Sequence, residues 1–458
     1  MTKNNTNKYW VRSGLFSFFE KGSGFVFNFG SVVILLRTLS KEDMGAWILF
    51  LTVCAFMEVS RIGLLQNALV KYVSSEEEDQ YRNILTSSVL LNFALTILYI
   101  IILWFSASWL SNLWGHEGLK TLFHIYMVTT LLLMPLNQMN YIQQANLDFK
   151  GIFWAGFIKQ GTFFFYVVYL WITRQTVSLP NLAIIQIAGI ALAIGAAFYF
   201  SRPYLRFSKT IDWHWVEKLL NFGKYAIGTN LGSMLYKSMD KMMLGRMVSV
   251  ASVAIYELAV KVTSLLDIPT LSAAPVVFPQ SAIASAKDGH AAAANLYEKS
   301  VGLILTIILP CILVVQLIPE LIITIIGGAQ YLDSIPLLRI VIFFGFFTPF
   351  LYQTGMVLES IGKPKINFYF TLFSFILNLI FNAIFIKLFG IVGAAYGTLL
   401  TYSIVFVLGQ KMLHKLVGVQ TLQVFYNTLH FYKMGFSFLK ERSWQKIPIQ
   451  ESGIGGKN

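Results

Sequence analysis

Long apolar runs recur from one end of the chain to the other, and they constrain its fold more than any other feature. About twelve of them reach the roughly 20 residues that a helix needs to cross the hydrocarbon core of a bilayer. Charged residues make up only 12% of the chain, against about 25% in an ordinary soluble domain. We therefore predict an all-α polytopic membrane protein with no soluble domain of useful size.

The breaks between the apolar runs locate the predicted spans. They lie near residues 14–36, 44–70, 84–110, 119–142, 151–173, 179–200, 215–245, 251–280, 296–326, 335–361, 364–386 and 391–412. The first run is too long for the core of a signal peptide, and no small-residue cleavage site follows it, so we expect it to stay as a membrane helix. A further run at 416–439 contains many polar residues. It favours an interfacial amphipathic segment, with a thirteenth span as the alternative.

The net charge of +13 is explained by its placement along the chain. If the amino terminus is cytoplasmic, the inside segments hold about three times as many Lys and Arg residues as the outside turns. This bias predicts that both termini are cytoplasmic, and the basic excess then needs no nucleic-acid partner. Cys54 and Cys311 fall inside apolar runs and the histidines show no ligand spacing, so no disulfide, metal or cofactor is expected.

The two halves of the chain resemble each other weakly at one constant offset. The paired positions are Gly14 with Gly223, Arg37 with Arg246, Ser40 with Ser249, Trp47 with Tyr256, and Glu58 with Asp267. Six spans per half would start both halves on the cytoplasmic side, as parallel repeats around a substrate path. We predict an amino-terminal lobe at 1–210 with spans one to six and a carboxy-terminal lobe at 211–412 with spans seven to twelve. The two lobes would surround a central cavity with pseudo-two-fold symmetry. Residues 413–458, after the second lobe, would form a cytoplasmic or interfacial tail.

Charged side chains inside the predicted spans mark a candidate site. Each charge near the bilayer centre costs about 2.5–3.5 kcal/mol on insertion scales, so a cluster must face protein or water. Lys237, Asp240 and Lys241 lie at positions i, i+3 and i+4, on one face of the seventh span. One carboxylate cannot neutralise two ammonium groups. This face is therefore predicted to be a cationic site that lines a cavity, and ion pairing between helices is the alternative.

Two other groups of intramembrane charges are balanced. Glu58 and Arg61 are three residues apart on the second span, and Glu257 and Lys261 are four apart on the eighth. Such pairs are either local ion pairs that let the helices insert, or a gate or ion relay that rearranges during transport.

The remaining intramembrane charges stand alone or side by side. Adjacent residues on a helix point about 100° apart, so only one of Glu20 and Lys21 can readily face an inter-lobe path. Lys21 could instead extend toward the cytoplasmic interface. Lys159 lies amid aromatic residues well inside the fifth span, where we expect a lone lysine to face a cavity and not lipid.

Short passages throughout the core carry a family resemblance. They are the helix pair at 378–398, the cytoplasmic turn at 358–365 with Gly362, Lys363 and Lys365, the outer turn at 326–331 with 336–340, and the paired outer turns at 36–47 and 245–256. These passages resemble the polysaccharide-transporter branch of the multidrug/oligosaccharidyl-lipid/polysaccharide exporter superfamily, which includes the Wzx-type flippases. The resemblance covers residues 1–412. It implies that this chain has a charged cavity like that of the family, but it assigns no role to individual residues.

The resemblance implies a function for the chain. Such proteins move undecaprenyl-pyrophosphate-linked oligosaccharide repeat units, of O-antigen or a related surface polysaccharide, across the bacterial inner membrane by alternating access with H+ or Na+ antiport. Membrane lipids, a polysaccharide polymerase and chain-length proteins are the other implied partners. Because a pyrophosphate favours a cationic pocket, the candidate substrate-binding residues are Lys237, Lys241, Lys21, Arg61, Lys159 and Lys261. The candidate ion-coupling residues are Asp240, Glu20, Glu58 and Glu257.

Two other functions compete with this interpretation. A multidrug exporter of the same superfamily would favour an acidic cavity for cationic drugs, whereas basic residues outnumber acidic ones inside these spans. An enzyme such as a polysaccharide polymerase or ligase generally needs a sizeable outer loop to hold its acceptor, and the outer turns here are short. We therefore expect the chain not to be an enzyme.

Overall fold

The computed structural model describes residues 3–73 and 78–441, and within them it contains helices and no strand. The helices are α1 (Lys3–Thr38), α2 (Lys41–Arg61), α3 (Asn67–Val73), α4 (Glu78–Trp114), α5 (Gly118–Ala145), α6 (Phe149–Thr173), α7 (Leu179–Ser201), α8 (Trp213–Met247), α9 (Val250–Ser264), α10 (Asp267–Asp288), α11 (His290–Leu317), α12 (Pro319–Ile326), α13 (Ile335–Val341), α14 (Phe344–Ser360), α15 (Pro364–Phe389), α16 (Ile391–Val417) and α17 (Thr421–Glu441). A π-helical turn, Ile62–Gln66, joins α2 to α3. The all-α prediction is confirmed.

Nine helical stretches within these residues are long and apolar enough to cross a membrane. A tenth forms if the segments Ala329–Val341 and Phe344–Ser360, bent by 47° at a short break, are one span. The two predicted spans missing from this set, near 215–245 and 251–280, are helical as α8 and as α9 with α10. The first contains several charged residues and glycines along its length, and the second is divided between α9, which has only 15 residues, and α10. The chain is a multi-pass membrane protein.

Several helices begin where the sequence supplies a capping side chain. Ser40 precedes α2 and accepts a hydrogen bond from the backbone N–H of Asp43. Asp212 does the same for α8 at His214. A side-chain oxygen at this position satisfies one of the N–H groups that the first turn of a helix leaves without a partner. These caps place the start of α2 and α8, the two helices that carry half of the candidate charges.

The first compact unit comprises residues 1–261, 319–340 and 368–401. One of its cores is formed by α3, α4, α5 and the beginning of α8, with Leu65, Leu85, Ile142 and Leu219 almost fully buried. Elsewhere in the unit α6 packs against α1 and α7, and α5 packs against α4 and α7. Together these helices enclose the cavity described below.

Within this unit α2 also packs closely along α8, where glycines remove the side chain at the points of contact. A Cβ atom on Gly63 would lie 3.1 Å from the Cα of Ile227, and one on Gly223 would lie 2.5 Å from the carbonyl oxygen of Leu64. Glycine allows such an approach, and membrane helices use small residues in this way because lipid provides no hydrophobic force between them. Helices from the two halves of the sequence are therefore in direct contact inside the first unit.

The helix pair at 378–398, one of the passages that carry the family resemblance, is packed closely through a small residue. A Cβ atom on Gly393 would lie 1.9 Å from the carbonyl oxygen of Phe385, so no other residue fits there without a backbone shift. Asn378 donates to Thr398 Oγ1 over 3.1 Å, and Asn382 donates to Asn378 Oδ1 over 3.0 Å. All three polar side chains are buried. The pair is a rigid part of the scaffold.

The second compact unit comprises residues 262–318, 341–367 and 402–458, of which 442–458 lie outside the described range. Its core joins α11, α14, the end of α16 and the start of α17 around Tyr297, Phe350 and Leu413. The predicted division of the chain into lobes at 1–210 and 211–412 stays a prediction.

The segment predicted as interfacial or as a thirteenth span is the helix α17. It packs against α11 and runs in the same direction along it. The contacts join the N–H of Gln420 to Glu298 over 2.7 Å, Thr428 to the carbonyl of Gly302 over 3.1 Å, and Tyr432 to the carbonyl of Thr306 over 2.9 Å. Because α11 is one of the helices able to cross a membrane, α17 lies beside a membrane span over more than two turns.

Candidate functional site

A cavity of about 410 Å³ lies inside the first unit. It is enclosed by α1, α2, α5, α6 and α7, and its walls are mainly aromatic and aliphatic. The polar side chains on its surface are Asn28, Ser31, Glu58, Tyr126, Thr129, Asn137, Lys159, Gln160 and Gln186. Its volume is in the range of small-molecule pockets, which are typically apolar with a few placed polar groups. Two of the residues that the sequence singled out, Glu58 and Lys159, lie on this one cavity.

Glu58 has two different partners for its two oxygens. Asn137 of α5 donates to Oε2 over 2.8 Å, while Oε1 lies 3.8 Å from Nη1 of Arg61. The Glu58 side chain is 25% exposed, whereas that of Arg61 is 0% exposed. The carboxylate can thus be reached from the cavity, and the guanidinium behind it cannot.

Arg61 is the most completely buried cation of the described residues. Its Nη2 lies 3.4 Å from Thr96 Oγ1, and its guanidinium lies 5.5 Å from the centre of the Tyr99 ring. Nε and Nη1 have no hydrogen-bond partner among the described residues. A buried charge is costly unless it is paired. Glu58 is therefore the group that compensates Arg61, and the charge on Glu58 decides whether that compensation holds.

Lys159 reaches the cavity from α6, where Phe157 and Phe163 are close neighbours in sequence. It forms no ion pair within 4.0 Å with any residue in the described part of the chain. Ser31 Oγ lies on the same cavity, is almost fully buried, and has no hydrogen-bond partner in that part of the chain. A ligand with hydroxyl or anionic groups would give both side chains partners.

The charges of α8 meet residues of α9. Lys241 Nζ lies 2.6 Å from Glu257 Oε2, and both side chains are mostly buried. Tyr256 donates a hydrogen bond to Asp240 Oδ2 over 2.6 Å. Lys237, on the same helix, is exposed. The second carboxylate that the sequence did not find for this face is Glu257, which sequence spacing had paired with Lys261. Whether the face binds substrate stays a prediction.

The other candidates are more dispersed. Lys21 is exposed on α1, and Glu20 is half-buried beside Gly156 of α6. Lys261 is half-buried near the end of α9. The structure thus places Glu58 and Lys159 on one cavity with Arg61 behind Glu58, and it brings Asp240, Lys241 and Glu257 close together between α8 and α9.

The amide side chains of the cavity were missed by sequence reasoning. Asn28, Asn137, Gln160 and Gln186 all lie inside apolar helices, and only charged residues had been considered there. An amide inside a membrane span is also unfavourable in lipid and signals a packed or polar surrounding. That signal was present in the sequence.

Two outer turns of the first unit are held together. Arg37 donates to the backbone carbonyls of Thr324, over 3.3 Å, and of Ile325. Lys41 forms an ion pair with Asp333 over 2.6 Å. The first turn lies in a passage that carried the family resemblance, and the contact residues of the second turn flank another such passage, 326–331. A set of polar contacts therefore joins the start of the chain to residues nearly 300 positions later.

Comparison with known proteins agrees with this architecture. Residues 34–336 match the model of a family described as polysaccharide biosynthesis protein. The chain belongs to this family. An uncharacterized membrane protein of Methanocaldococcus jannaschii is 23% identical over 415 residues, which are 85% of this chain and 81% of that protein.

Two further relatives have informative names. The probable low-salt glycan biosynthesis flippase Agl15 of Haloferax volcanii is 26% identical over 44% of this chain and 43% of its own length. The teichuronic acid biosynthesis protein TuaB of Bacillus subtilis is 21% identical over 64% of this chain and 60% of its own length. The matched region thus spans less than two thirds of each of these two proteins.

Solved structures show the same fold. The lipid II flippase MurJ, in an inward closed conformation, superposes with a TM-score of 0.74 at 16% identity and covers 95% of this chain and 94% of that one. An inward-facing multidrug resistance MATE family transporter of the MOP superfamily gives a TM-score of 0.72 at 16% identity over 92% and 96%. The predicted superfamily fold is confirmed. The first of these proteins is named as a flippase and the second as a transporter.

Proposed function

We propose that the protein is a flippase that carries a lipid-linked oligosaccharide across the membrane by alternating access. The observation that carries the proposal is the cavity of the first unit, where Glu58 and Lys159 face a space enclosed by apolar helices. Ionisable groups inside a membrane protein typically mark a substrate or ion pathway. Membership of the polysaccharide biosynthesis family and the names of the Haloferax and Bacillus relatives support the same function.

The proposed substrate is an undecaprenyl-pyrophosphate-linked repeat unit of O-antigen or a related surface polysaccharide, in the bacterial inner membrane. A pyrophosphate needs cations, and lysine supplies them as point charges. Lys159 lies on the cavity and is the first candidate, whereas Arg61 is buried behind Glu58 and would reach a pyrophosphate only if the Glu58 side chain moved. The remaining candidates are Lys237, Lys241, Lys21 and Lys261.

We further propose that Glu58 couples transport to the binding of H+ or Na+. An ion on Glu58 would cancel the charge that compensates buried Arg61, in surroundings of low dielectric where such attraction is strong. The π-helical turn Ile62–Gln66 begins directly after Arg61, and turns of this kind are frequent at functional sites. Ion binding at Glu58 would thereby alter the shape of α2. Asp240, Glu20 and Glu257 are the other ion-coupling candidates.

A multidrug exporter is the second candidate function. The observation in its favour is the mainly apolar and aromatic wall of the same cavity, which includes Trp47 and Phe163 and suits a lipophilic ligand. Lys159 and Arg61 carry two positive charges and Glu58 carries one negative charge, so the surroundings of the cavity are net positive. A cationic drug requires negative charge in its binding site, and this balance therefore disfavours it.

Reconstitution of the purified protein in liposomes tests the proposal. We expect transfer of a fluorescent undecaprenyl-pyrophosphate-linked oligosaccharide between leaflets, faster under an imposed pH or sodium gradient. Glu58→Gln should lower that rate at least about tenfold, a change of about 1.4 kcal/mol in the barrier. Glu42→Gln is the matched control, since Glu42 is exposed on the same helix.

The outcomes separate the alternatives. Export of cationic dyes without transfer of the lipid-linked oligosaccharide would establish the multidrug exporter instead. Glycan transfer that responds to the gradient as strongly in Glu58→Gln as in the unaltered protein would remove Glu58 from the coupling step and leave the flippase assignment standing.

A further inference from the structure

A polar cavity of about 430 Å³ opens in the second unit. It lies between the first turns of α11, the end of α16 and the start of α17. The polar residues on its surface are Asn295, Glu298, Lys299, Gln420, Gln423 and Asn427, and the rest of its wall is alanine, valine and glycine. The charge bias along the sequence predicts that this end of α11 is cytoplasmic. We refer to this cavity as the α11–α17 pocket.

Glu298 is a buried carboxylate that has no cation beside it. Its exposed fraction is 8%, and its Oε1 accepts a hydrogen bond from the backbone N–H of Gln420 over 2.7 Å. It forms no ion pair within 4.0 Å with any residue in the described part of the chain. Burying a charge is costly unless the charge is paired. A ligand that brings a cationic group into the α11–α17 pocket would supply the missing partner.

The other polar side chains of the pocket suit an anionic group. Lys299 follows Glu298 directly, and because adjacent residues on a helix point about 100° apart, the two do not pair. The Lys299 side chain is exposed. The side-chain amides of Asn295, Gln423 and Asn427 make no hydrogen bond with any of the described residues. One ammonium group and three amides around one space can therefore donate to the oxygens of an anionic ligand group.

The surface beyond the pocket indicates that the ligand is a lipid. Leu303 and Ile307 lie one and two turns beyond Lys299 on the same face of α11, and both are about half exposed. Leu422 and Tyr426 of α17, each next in sequence to a pocket residue, are mostly exposed. Because α11 is long and apolar enough to cross a membrane, hydrocarbon begins where the polar wall of the pocket ends. A headgroup in the pocket with its chains along these apolar side chains fits both surfaces.

We propose that the α11–α17 pocket binds a phospholipid whose headgroup carries both a phosphoryl group and a primary ammonium, as phosphatidylethanolamine does. The ammonium pairs with Glu298, and the phosphoryl oxygens accept from Lys299 and the three amides. Because Glu298 of α11 also holds Gln420 at the start of α17, the bound lipid strengthens the attachment of α17 to α11. This inference is independent of the flippase function proposed above.

The two charges of the pocket select among phospholipid headgroups. A primary ammonium has three N–H groups to donate to Glu298. The quaternary ammonium of phosphatidylcholine has the same charge and no N–H to donate. Phosphatidylglycerol has no cation, so it would leave the buried carboxylate uncompensated and place a like charge near it. We therefore expect tightest binding for phosphatidylethanolamine and weakest binding for phosphatidylglycerol.

Native mass spectrometry of the full-length protein, titrated with the dioctanoyl form of each of these three phospholipids, is the test. The unaltered protein should bind phosphatidylethanolamine at least about tenfold more tightly than either of the others. Glu298→Gln should bind phosphatidylethanolamine and phosphatidylcholine equally, since the charge is lost. Lys299→Met should weaken the binding of both. Glu359→Gln and Lys365→Met, which alter exposed residues of the same unit outside the pocket, are the matched controls and should leave all three affinities unchanged.

Thermal unfolding separates binding from folding. Glu298→Gln keeps a side-chain oxygen that can accept from the N–H of Gln420, so it should be at least as stable as the unaltered protein in phosphatidylcholine. Phosphatidylethanolamine should raise the melting temperature of the unaltered protein and not that of Glu298→Gln.

Three results would overturn the proposal. Equal affinity of the unaltered protein for phosphatidylethanolamine and phosphatidylcholine would show that the pocket does not recognise a primary ammonium. Tightest binding of phosphatidylglycerol would make it an anionic-lipid site. A preference for phosphatidylethanolamine that persists in Glu298→Gln would place the ammonium elsewhere. None of these results changes the transfer of lipid-linked glycan, so the flippase assignment is decided separately.

Discussion

Lys41 Nζ lies 2.6 Å from Asp333 Oδ2, an ion pair between two outer turns that are 292 residues apart in sequence. The two side chains are 28% and 49% exposed, and ion pairs with such exposure contribute only about 0–1 kcal/mol. A contact of this strength can hold two turns together and still separate during a transport cycle. It has the properties of a reversible closure on the predicted outer side.

Asp333→Lys should weaken that closure by placing like charges together. We expect faster labelling of Cys54, which lies on the first-unit cavity, by a membrane-impermeant maleimide added outside, in a background with Cys311→Ser. Lys41→Asp/Asp333→Lys restores opposite charges and should return the slow rate. Glu320→Lys, an exposed residue of the neighbouring α12, is the control. Labelling as fast in the double variant as in Asp333→Lys would show that the pair does not close the outer side.

Removing the charge of Glu58 should destabilise the protein through Arg61. Breaking a buried ion pair from one side typically costs about 3–5 kcal/mol, and because Glu58 is partly exposed we expect about 1–3 kcal/mol for Glu58→Leu. Thermal unfolding in detergent measures this loss. The double variant Glu58→Leu/Arg61→Met should be more stable than Glu58→Leu alone, since the uncompensated guanidinium is gone. If the loss of stability in the double variant equals the sum of the losses in Glu58→Leu and Arg61→Met, the two residues are not coupled and the expectation is wrong.

The network of α8 and α9 can be divided into structural and functional members. Lys241→Met should lower the melting temperature, because it leaves the mostly buried Glu257 without its partner at 2.6 Å, and Lys241→Met/Glu257→Gln should recover most of the loss. Lys237→Met should leave stability unchanged, because Lys237 is exposed.

Activity then distinguishes the two alternatives for this face. If the face is a cationic substrate site, Lys237→Ala/Lys241→Ala abolishes surface polysaccharide while the protein still inserts. Normal polysaccharide display by this variant would leave ion pairing between helices as the role of Lys241. Total protein in the membrane fraction provides the control for insertion.

The direction of α17 predicts the location of the carboxy terminus. The helix has 21 residues, about 30 Å of length, which matches the hydrocarbon thickness of a bilayer. It runs parallel to α11, which leads from the predicted inside to the predicted outside. If α17 spans the bilayer, the carboxy terminus lies outside, contrary to the sequence-based prediction of a cytoplasmic terminus, and alkaline phosphatase fused after Asn458 is active while a green fluorescent protein fused there is dark. A fluorescent green fluorescent protein fusion together with an inactive alkaline phosphatase fusion would place α17 at the cytoplasmic interface. The exposed polar side chains of His430 and Lys433 on α17 favour that location.

Much of the architecture could be predicted because lipid imposes a simple rule on the sequence. A membrane helix must be apolar over about 20 residues, so helix positions, the outer turns and the small-residue packing of the pair at 378–398 could all be found by inspection. The predicted spans at 215–245 and 251–280 depart from this rule, because they are helical but are not among the helices long and apolar enough to cross a membrane. Ionisable residues stand out against such a background, and so Glu58, Arg61 and Lys159 were identified as candidates.

Partner choice could not be predicted in the same way. Sequence spacing paired Glu257 with Lys261, whereas the structure pairs it with Lys241 of the preceding helix. Asn137, which holds Glu58, is 79 residues from it in sequence. Helical periodicity relates only residues three or four positions apart, and contacts between helices depend on how the helices pack.

The sequence by itself determined that this protein is a helical, multi-pass membrane protein whose intramembrane charges are its candidate site, because each of those features is set by local hydrophobicity. Only the tertiary structure decided that Glu58 and Lys159 share a cavity, that Lys41 meets Asp333, and that Lys241 meets Glu257. Those contacts join residues far apart in the chain, so they exist only once the helices have packed against one another.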